Sequence, residues 1–162
     1  MAQNQSVPGQ KKWKNGEPKQ RSELHEFTHG GKGVVICSVC RAAYFKKRWY
    51  HGLEKIDSDN QNLPVVFKLC PACTQIKNRQ FEGQITIKNI PKKYESEIVN
   101  FTNAYGRRAT DRDPMDRVIA VKKTKEGLII TTTENQLALK LSRKLKQTFS
   151  KAVKEISFSP SP

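Results

Sequence analysis

The four cysteines of this chain fall into two Cys-x-x-Cys pairs, Cys37-Ser-Val-Cys40 and Cys70-Pro-Ala-Cys73. Four thiolates can hold a zinc ion in a closed tetrahedron with Zn–S bonds of about 2.3 Å, and two such turns supply them without strain. The pairs are 29 residues apart, more than the usual interval of about 15–20, so an elongated segment must lie between them. The sequence therefore predicts a Zn²⁺ site with the ligands Cys37, Cys40, Cys70 and Cys73.

Two other uses of the cysteines stay open at this point. They can form disulfides, or they can act as a thiol redox switch, for which Pro71 inside the second pair is the supporting feature. The N-terminal residues contain no apolar signal region, and no stretch approaches the run of about 18 apolar residues that spans a bilayer. We therefore expect a cytoplasmic protein whose thiols are reduced or bound to metal.

Charge is the second strong feature of the sequence. Thirty Lys and Arg residues face 15 Asp and Glu residues, which gives a formal net charge of +15. Such an excess indicates association with a polyanion rather than a particular fold. It favours nucleic acid, and RNA in particular, over an acidic protein or a membrane. The membrane is disfavoured because no basic amphipathic helix with exposed bulky apolar residues is evident.

Composition divides the chain into three parts. Residues 1–31 are polar and basic with few apolar side chains, which predicts a disordered tail that either contacts phosphates or is merely solvated. Residues 32–80 form the predicted four-cysteine module, of treble or zinc-ribbon type. Within it, Val34-Val35-Ile36 and Val65-Val66-Phe67 are predicted strands that lead into the first and second cysteine pair.

Residues 81–158 alternate strand and helix patterns in the order strand, helix, strand, strand, helix, strand. The predicted strands cover residues 85–87, 118–123, 128–132 and 153–158. This order is typical of a ferredoxin-like βαββαβ domain, with two helices on one face of a four-stranded antiparallel sheet. The overall fold class is therefore predicted to be α+β.

The two helices carry the clearest periodicity. In residues 91–105 an apolar face recurs at helical spacing, and Gly106 stands where a helix often ends. Thr133-Glu134-Asn135-Gln136 matches a capping box and predicts the start of the second helix. The core positions predicted for the two helices are Tyr94, Ile98, Phe101, Tyr105, Leu137, Ala138, Leu141, Leu145 and Phe149.

Basic and aromatic residues interleave just after the first cysteine pair. Cations neutralise phosphates, and aromatic faces stack on unpaired bases for about 1–3 kcal/mol each. Alternatively, the aromatic residues only fill the small core beside the metal. The predicted nucleic-acid contacts in this segment are Arg41, Lys46, Lys47, Arg48, Trp49 and Tyr50.

The last helix provides the second predicted contact surface. Lys140, Arg143 and Lys144 lie opposite its leucines, and no acidic residue occurs between Glu134 and Glu155. A single-signed stripe of this kind favours phosphate binding over a merely solvated face. Residues 106–117 contain four arginines and three aspartates, which predicts a rigid turn held by internal ion pairs and leaves a role in RNA contact open.

The sequence offers no catalytic constellation. It contains no phosphate-binding loop, no Ser-His-Asp candidate and no His-x-Glu that accompanies the cysteines as in zinc deaminases. A four-thiolate site also leaves no open coordination position for a reacting water. We therefore expect a protein that is not an enzyme and has no small-molecule substrate.

Several segments together resemble one known family. They are the two cysteine pairs, Ile85-Thr86-Ile87, the turn Asp113-Pro114-Met115-Asp116-Arg117, and Thr132-Thr133-Glu134-Asn135-Gln136-Leu137-Ala138 at the start of a basic helix. In these, residues 34–158 resemble the zinc-binding N-terminal region of the archaeal and eukaryotic large-ribosomal-subunit export adaptors and its short bacterial relatives.

The resemblance implies binding to the large ribosomal subunit or its precursor through rRNA, with ribosomal proteins as further candidate partners. Because this chain carries one set of four cysteines where the longer relatives carry more, a small ribosome-binding factor is expected rather than an export adaptor. A DNA-binding or transcription-associated regulator with the same charge is the alternative, and the thiol switch is the third hypothesis.

Overall fold

The computed structural model describes residues 33–56 and 63–160. The predicted basic tail, residues 1–31, lies outside the described residues. Within them the chain forms three α-helices and two four-stranded sheets, so the α+β class is confirmed. None of the helices in the described ranges is long and apolar enough to cross a membrane.

The first sheet and a short helix surround the cysteines. Its strands have the spatial order β3-β2-β1-β4, and β1 pairs with β2 in antiparallel and with β4 in parallel fashion. The elements of this unit are β1 (Val34–Cys37), β2 (Ala43–Phe45), β3 (Arg48–Tyr50), a 3-10 turn (Leu53–Lys55), β4 (Val65–Lys68) and α1 (Pro71–Lys77). Both predicted strands that lead into the cysteine pairs are present as β1 and β4.

The edge strand β4 adds little to the core of this unit. Val65, Val66 and Phe67 are 43%, 43% and 59% exposed, whereas the neighbouring Val34 and Val35 are each 2% exposed. Strand β4 therefore joins the sheet mainly through its backbone. The buried apolar residues of this unit come mainly from β1, β2, β3 and α1, and a unit of this size needs another source of stability beside its core.

The second sheet holds the C-terminal half together. Its strands have the order β6-β7-β5-β8, and every neighbouring pair is antiparallel. The elements are β5 (Gly83–Lys88), α2 (Lys92–Arg112), β6 (Val118–Lys123), β7 (Gly127–Thr132), α3 (Asn135–Thr148) and β8 (Glu155–Pro160).

The predicted apolar faces of both long helices pack against this sheet. Ile98, Leu141 and Leu145 are fully buried with Ile85, Ile87, Leu128 and Ile130 of the strands, and the aromatic residues of α2 pack at the edge of the same core. Eight of the nine predicted helix core positions belong to this cluster, and the ninth, Leu137, is 2% exposed. Periodicity was sufficient here because each helix buries a single apolar stripe.

Helix α2 is longer than predicted. It continues through Gly106 to Arg112, so Gly106 is not a helix-ending residue. A Cβ at position 106 would lie 2.8 Å from Val118 Cγ2, so the glycine permits strand β6 to approach the helix closely. The glycine serves packing between elements, which is a use that sequence spacing does not reveal.

The predicted capping box is wrong, although a helix does start there. Helix α3 begins at Asn135, and its N-cap residue Glu134 makes no side-chain capping bond. The buried Thr133 hydroxyl donates to the Met115 carbonyl at 2.6 Å and accepts from the Arg117 N–H at 2.8 Å. Thr133 therefore ties the turn before β6 to the end of β7 instead of capping α3.

This use of Thr133 can be tested by substitution. Thr133→Val keeps the volume but removes the hydroxyl and leaves buried backbone groups unpaired, so it should lower the free energy of unfolding by about 1–3 kcal/mol. Gln136→Ala would be costly in a capping box but should stay within about 0.5 kcal/mol here. Urea unfolding midpoints measure both changes in stability. A larger loss for Gln136→Ala than for Thr133→Val would indicate that the capping box is formed.

Candidate metal centre

The four cysteines come from two turns that the first sheet places side by side. Cys37 ends β1 and Cys40 lies in the turn before β2, while Cys70 is the N-cap of α1 and Cys73 lies in its first turn. The parallel register of β1 and β4 sets Cys37 opposite Lys68. Cys70 lies two residues after Lys68, the residue opposite Cys37. The two cysteine pairs are therefore close in space although they are far apart in the sequence.

The four sulfur atoms form one compact group. All lie within 4.8 Å of one another, and the Cys40 and Cys70 Sγ atoms are 3.6 Å apart. A tetrahedron with metal–sulfur bonds of about 2.3 Å has edges of about 3.8 Å. The group is thus compatible with a bound metal ion, and the four cysteines are all free of disulfides.

Backbone N–H groups point at the sulfur atoms. The N–H groups of Cys40 and Cys70 donate to Cys37 Sγ at 3.5 and 3.4 Å, and the N–H of Cys73 donates to Cys70 Sγ at 3.4 Å. Three of the cysteines are buried and Cys40 is half-buried. Such donors stabilise thiolates and fix the rotamers of the ligands, as the outer contacts of a metal site do.

The cluster already favours thiolate character at particular atoms. A hydrogen bond from the Cys70 thiol lowers the pKa of Cys40 to about 4, and the same bond raises the pKa of Cys70. Burial alone would raise the pKa of Cys37, but the backbone donors of Cys40 and Cys70 outweigh it and the net shift is downward. Burial raises the pKa of Cys73.

A guanidinium from the other half of the chain reaches this cluster. Arg117 Nη1 donates to Cys73 Sγ at 3.5 Å, and its Nε donates to the Pro114 carbonyl at 2.9 Å. Burial would lower the pKa of Arg117, but a hydrogen bond to Cys40 and the charges of Cys40, Cys73 and Cys70 raise it instead. No local pattern in the sequence indicates this contact, because Arg117 lies 44 residues beyond Cys73.

The turn that carries Arg117 also supplies an apolar contact. Met115 is 1% exposed and belongs to the core cluster around the cysteines, together with Val35, Tyr44 and Trp49. Its backbone N–H donates to Asp113 Oδ1 at 2.8 Å. The segment from Asp113 to Arg117 therefore joins the two halves of the described chain at the cysteine cluster.

The arginine-rich segment is not ordered as predicted. Residues up to Arg112 are helical, and in the part of the chain that the structure describes none of Arg107, Arg108 and Arg112 forms an ion pair. Hydrogen bonds to backbone atoms and Thr133 hold the turn after the helix. The expectation of internal arginine–aspartate pairs is therefore wrong.

Five of the six predicted contacts after the first cysteine pair lie on a hairpin, and Arg41 lies in the turn that precedes it. Lys46 and Lys47 form the two-residue turn between β2 and β3, and Arg41, Lys46, Lys47 and Arg48 are all exposed. Arg48 lies 5.6 Å from the ring centroid of the half-buried Tyr50. The structure thus places these four cations at the surface and leaves Tyr50 half-buried against the core.

Trp49 is placed differently. Its side chain is 7% exposed and its ring centroid lies 5.2 Å from that of Tyr44, inside the core around the cysteines. A base cannot stack on a ring that is covered on this scale. The placement favours the alternative that this residue fills the small core beside the metal.

The predicted contacts on α3 are all exposed on the face away from the leucines. Lys140, Arg143 and Lys144 form no ion pair within the described ranges, and Lys144 Nζ donates to Gln147 Oε1 at 3.2 Å. These residues belong to a different element from the hairpin cations.

Comparison with known proteins adds no information about either group of cations. No family model, curated protein or solved structure matches the chain.

Metal content provides the first test of this centre. The purified chain should hold one tightly bound divalent ion, and Cys70→Ser should abolish retention because one ligand of a closed set is lost. Elemental analysis after desalting measures both. Ser38→Ala, in the same turn as Cys37 and Cys40, is the matched control and should keep the full metal content.

The role of Arg117 gives a second prediction. Arg117→Gln removes the charge that offsets the thiolates and should weaken metal affinity about 10- to 100-fold, as is usual for outer contacts of a metal site. Arg112→Gln removes an exposed arginine of the same segment and should leave affinity unchanged. Competition with a chromogenic chelator measures the affinities, and equal values for the two variants would remove Arg117 from the site.

Proposed function

We propose that this protein is a non-enzymatic, zinc-stabilised RNA-binding factor of the large ribosomal subunit or its precursor. The cysteine centre has a structural role, and the surrounding cations bind rRNA phosphates. Backbone strain at three exposed cations after the first cysteine pair is the observation that carries the RNA-binding proposal.

Zinc is the metal that suits this donor set. Four thiolates in a closed, largely buried group are typical of structural zinc, and harder ions such as Mg²⁺ prefer oxygen ligands. The first unit contains a knuckle, a hairpin and a helix that starts at the second cysteine pair, which favours a treble-type module over a ribbon of two knuckles. The strand order β6-β7-β5-β8 supports a ferredoxin-like second unit.

Three of the proposed RNA contacts have an unusual backbone conformation. Arg41, Lys46 and Lys47 have φ values of 64°, 45° and 65°, in the left-handed region that favours glycine and asparagine. Asn-Gly would adopt the backbone conformation of the Lys46-Lys47 turn at a lower conformational cost. Cations held at strained, exposed positions indicate that the side chains have a use, and phosphate binding is the use that their charge suits.

Helix α3 provides a second cationic surface on a rigid support. Its leucines are fixed in the core of the second sheet, while Lys140, Arg143 and Lys144 remain exposed without a carboxylate partner in the described chain. Phosphate contacts of this kind orient a protein on RNA without reading its sequence. Two separated cationic surfaces on a folded body suit a structured RNA such as rRNA.

The ribosomal assignment rests on the resemblance as well as on charge. The segment Asp113-Pro114-Met115-Asp116-Arg117, which carries part of that resemblance, lies against the cysteine cluster. A turn that joins the two halves of the chain is a feature that a shared architecture would retain. Cytoplasmic location follows from the same proposal, because ribosomes and their late precursors are found there.

Ribosome co-sedimentation tests the proposal. The wild-type protein should move with the large subunit at low salt and dissociate as salt rises, because released counterions drive phosphate binding. Lys46→Asn/Lys47→Gly should dissociate at lower salt, while its stability stays the same or rises by up to about 2 kcal/mol as the strained turn relaxes. Gradient fractions and thermal melts measure the two effects.

The control variant is Lys55→Gln/Lys68→Gln, which removes the same charge from exposed positions of the same unit. It should change co-sedimentation less than the turn variant does. A wild-type protein that stays free of ribosomes in low salt but binds duplex DNA would replace the proposal with the DNA-associated alternative. Loss of metal with reversible disulfide formation would instead support the thiol switch.

A further inference from the structure

A cleft of about 590 Å³ lies between the C-terminal half of α2 and the start of β6. Three arginines line it, Arg107 and Arg108 from the helix and Arg117 from the turn before the strand. Asn103 lies one helical turn before Arg107 on the same side of α2. The cleft therefore gathers cations from two elements around one cavity.

The floor of this cleft depends on Gly106. Because position 106 has no side chain, Val118 packs directly against the helix, where a Cβ would lie within 2.8 Å of its Cγ2 atom. Val118 and Ala104 contribute apolar side chains to the lining, together with the three arginines. A lining of apolar side chains and a few polar groups is typical of ligand sites of this size.

The arginines of the helix have donors available. Arg107 and Arg108 are exposed, and neither has an ion-pair partner among residues 33–56 and 63–160. The Arg108 guanidinium lies 6.0 Å from the ring centroid of Tyr105, which orients it without using its N–H groups. Both side chains can therefore donate to an incoming anion.

Arg117 forms a fixed wall of the same cleft. Its Nε and Nη1 atoms are held by the Pro114 carbonyl and Cys73 Sγ, and a guanidinium has further N–H donors on Nη1 and Nη2. Among the described residues that line the cleft, Asp111 is the one acidic group. The charge of Arg117 is shared with the cysteine thiolates, so Arg107, Arg108 and Asp111 leave an unshared formal charge of +1 in the cleft.

We propose that this cleft binds a backbone phosphate of single-stranded RNA, with the attached nucleotide occupying the cavity. Guanidinium groups recognise phosphate oxygens through paired N–H donors, and Arg117 supplies a positioned group while Arg107 and Arg108 close on the ligand. The cavity volume is that of a small-ligand pocket, larger than a phosphate alone requires. This inference rests on the proposed RNA binding and assigns it a specific site.

The test uses the full chain and a labelled oligouridine, with binding measured by fluorescence anisotropy at several salt concentrations. Arg107→Gln/Arg108→Gln should weaken binding at least tenfold and reduce the slope of log K against log salt by about 0.7, since the cleft holds one phosphate and each single-strand phosphate contact contributes about 0.7. Lys92→Gln/Lys93→Gln removes the same charge from the other end of α2 and should change the slope less.

A variant that is expected to tighten RNA binding gives an independent readout. Asp111→Asn removes the acidic group of the cleft and should tighten oligouridine binding several-fold. Glu97→Gln neutralises an exposed carboxylate on the same helix, two turns before Ala104, and should have a smaller effect. A matched gain for both variants would show that net charge acts without the cleft and would overturn the inference.

The remaining outcomes separate this inference from the proposed function. Wild-type protein that binds no oligouridine and no ribosomes overturns both. Wild-type binding that Arg107→Gln/Arg108→Gln and Lys92→Gln/Lys93→Gln weaken equally overturns the cleft and leaves the proposed function standing. Saturable binding of labelled ADP that disappears in Arg107→Gln/Arg108→Gln would make the cleft a free-nucleotide site and would also overturn the inference.

Discussion

The approach of the two Cys-x-x-Cys turns to one another is the contact on which the first half of the molecule depends. The sheet beside it is small, and its edge strand β4 is largely exposed. A structural zinc ion contributes about 10–16 kcal/mol to a site of this kind, which is comparable to the whole stability of an ordinary domain, about 5–15 kcal/mol. With metal bound, the four sulfur atoms would therefore outweigh the apolar core in fixing this unit.

The same cluster also joins the two halves of the described chain. Met115 packs into its apolar surroundings, Arg117 donates to Cys73 Sγ, and Thr133 holds the turn that carries both. Four thiolates around a divalent ion carry a net charge of −2, so a half-buried guanidinium is a favourable neighbour. The turn after α2 is thus placed by the electrostatics of the site as well as by packing.

The sequence predicted those features that depend on local pattern. Ligand spacing identified the four cysteines, and helical periodicity identified the core positions of α2 and α3, because each pattern repeats within a few residues. It did not identify Gly106 as a packing position, Thr133 as a tether or Arg117 as a contact of the cluster. Each of these roles depends on a partner 12 or more residues away, and no local pattern specifies such a partner.

In the proposed function, the positions of the cations matter more than their number. At physiological salt the Debye length is about 8 Å, so a phosphate responds mainly to the charges beside it and hardly to the net +15 of the chain. The backbone of Arg41 is fixed by its N–H bond to the Cys37 carbonyl, at 3.0 Å, in the turn that holds the first cysteine pair. Under the proposed function, a metal ion bound by the cysteines would influence RNA binding without contacting the RNA, because it would hold the turn that presents this cation.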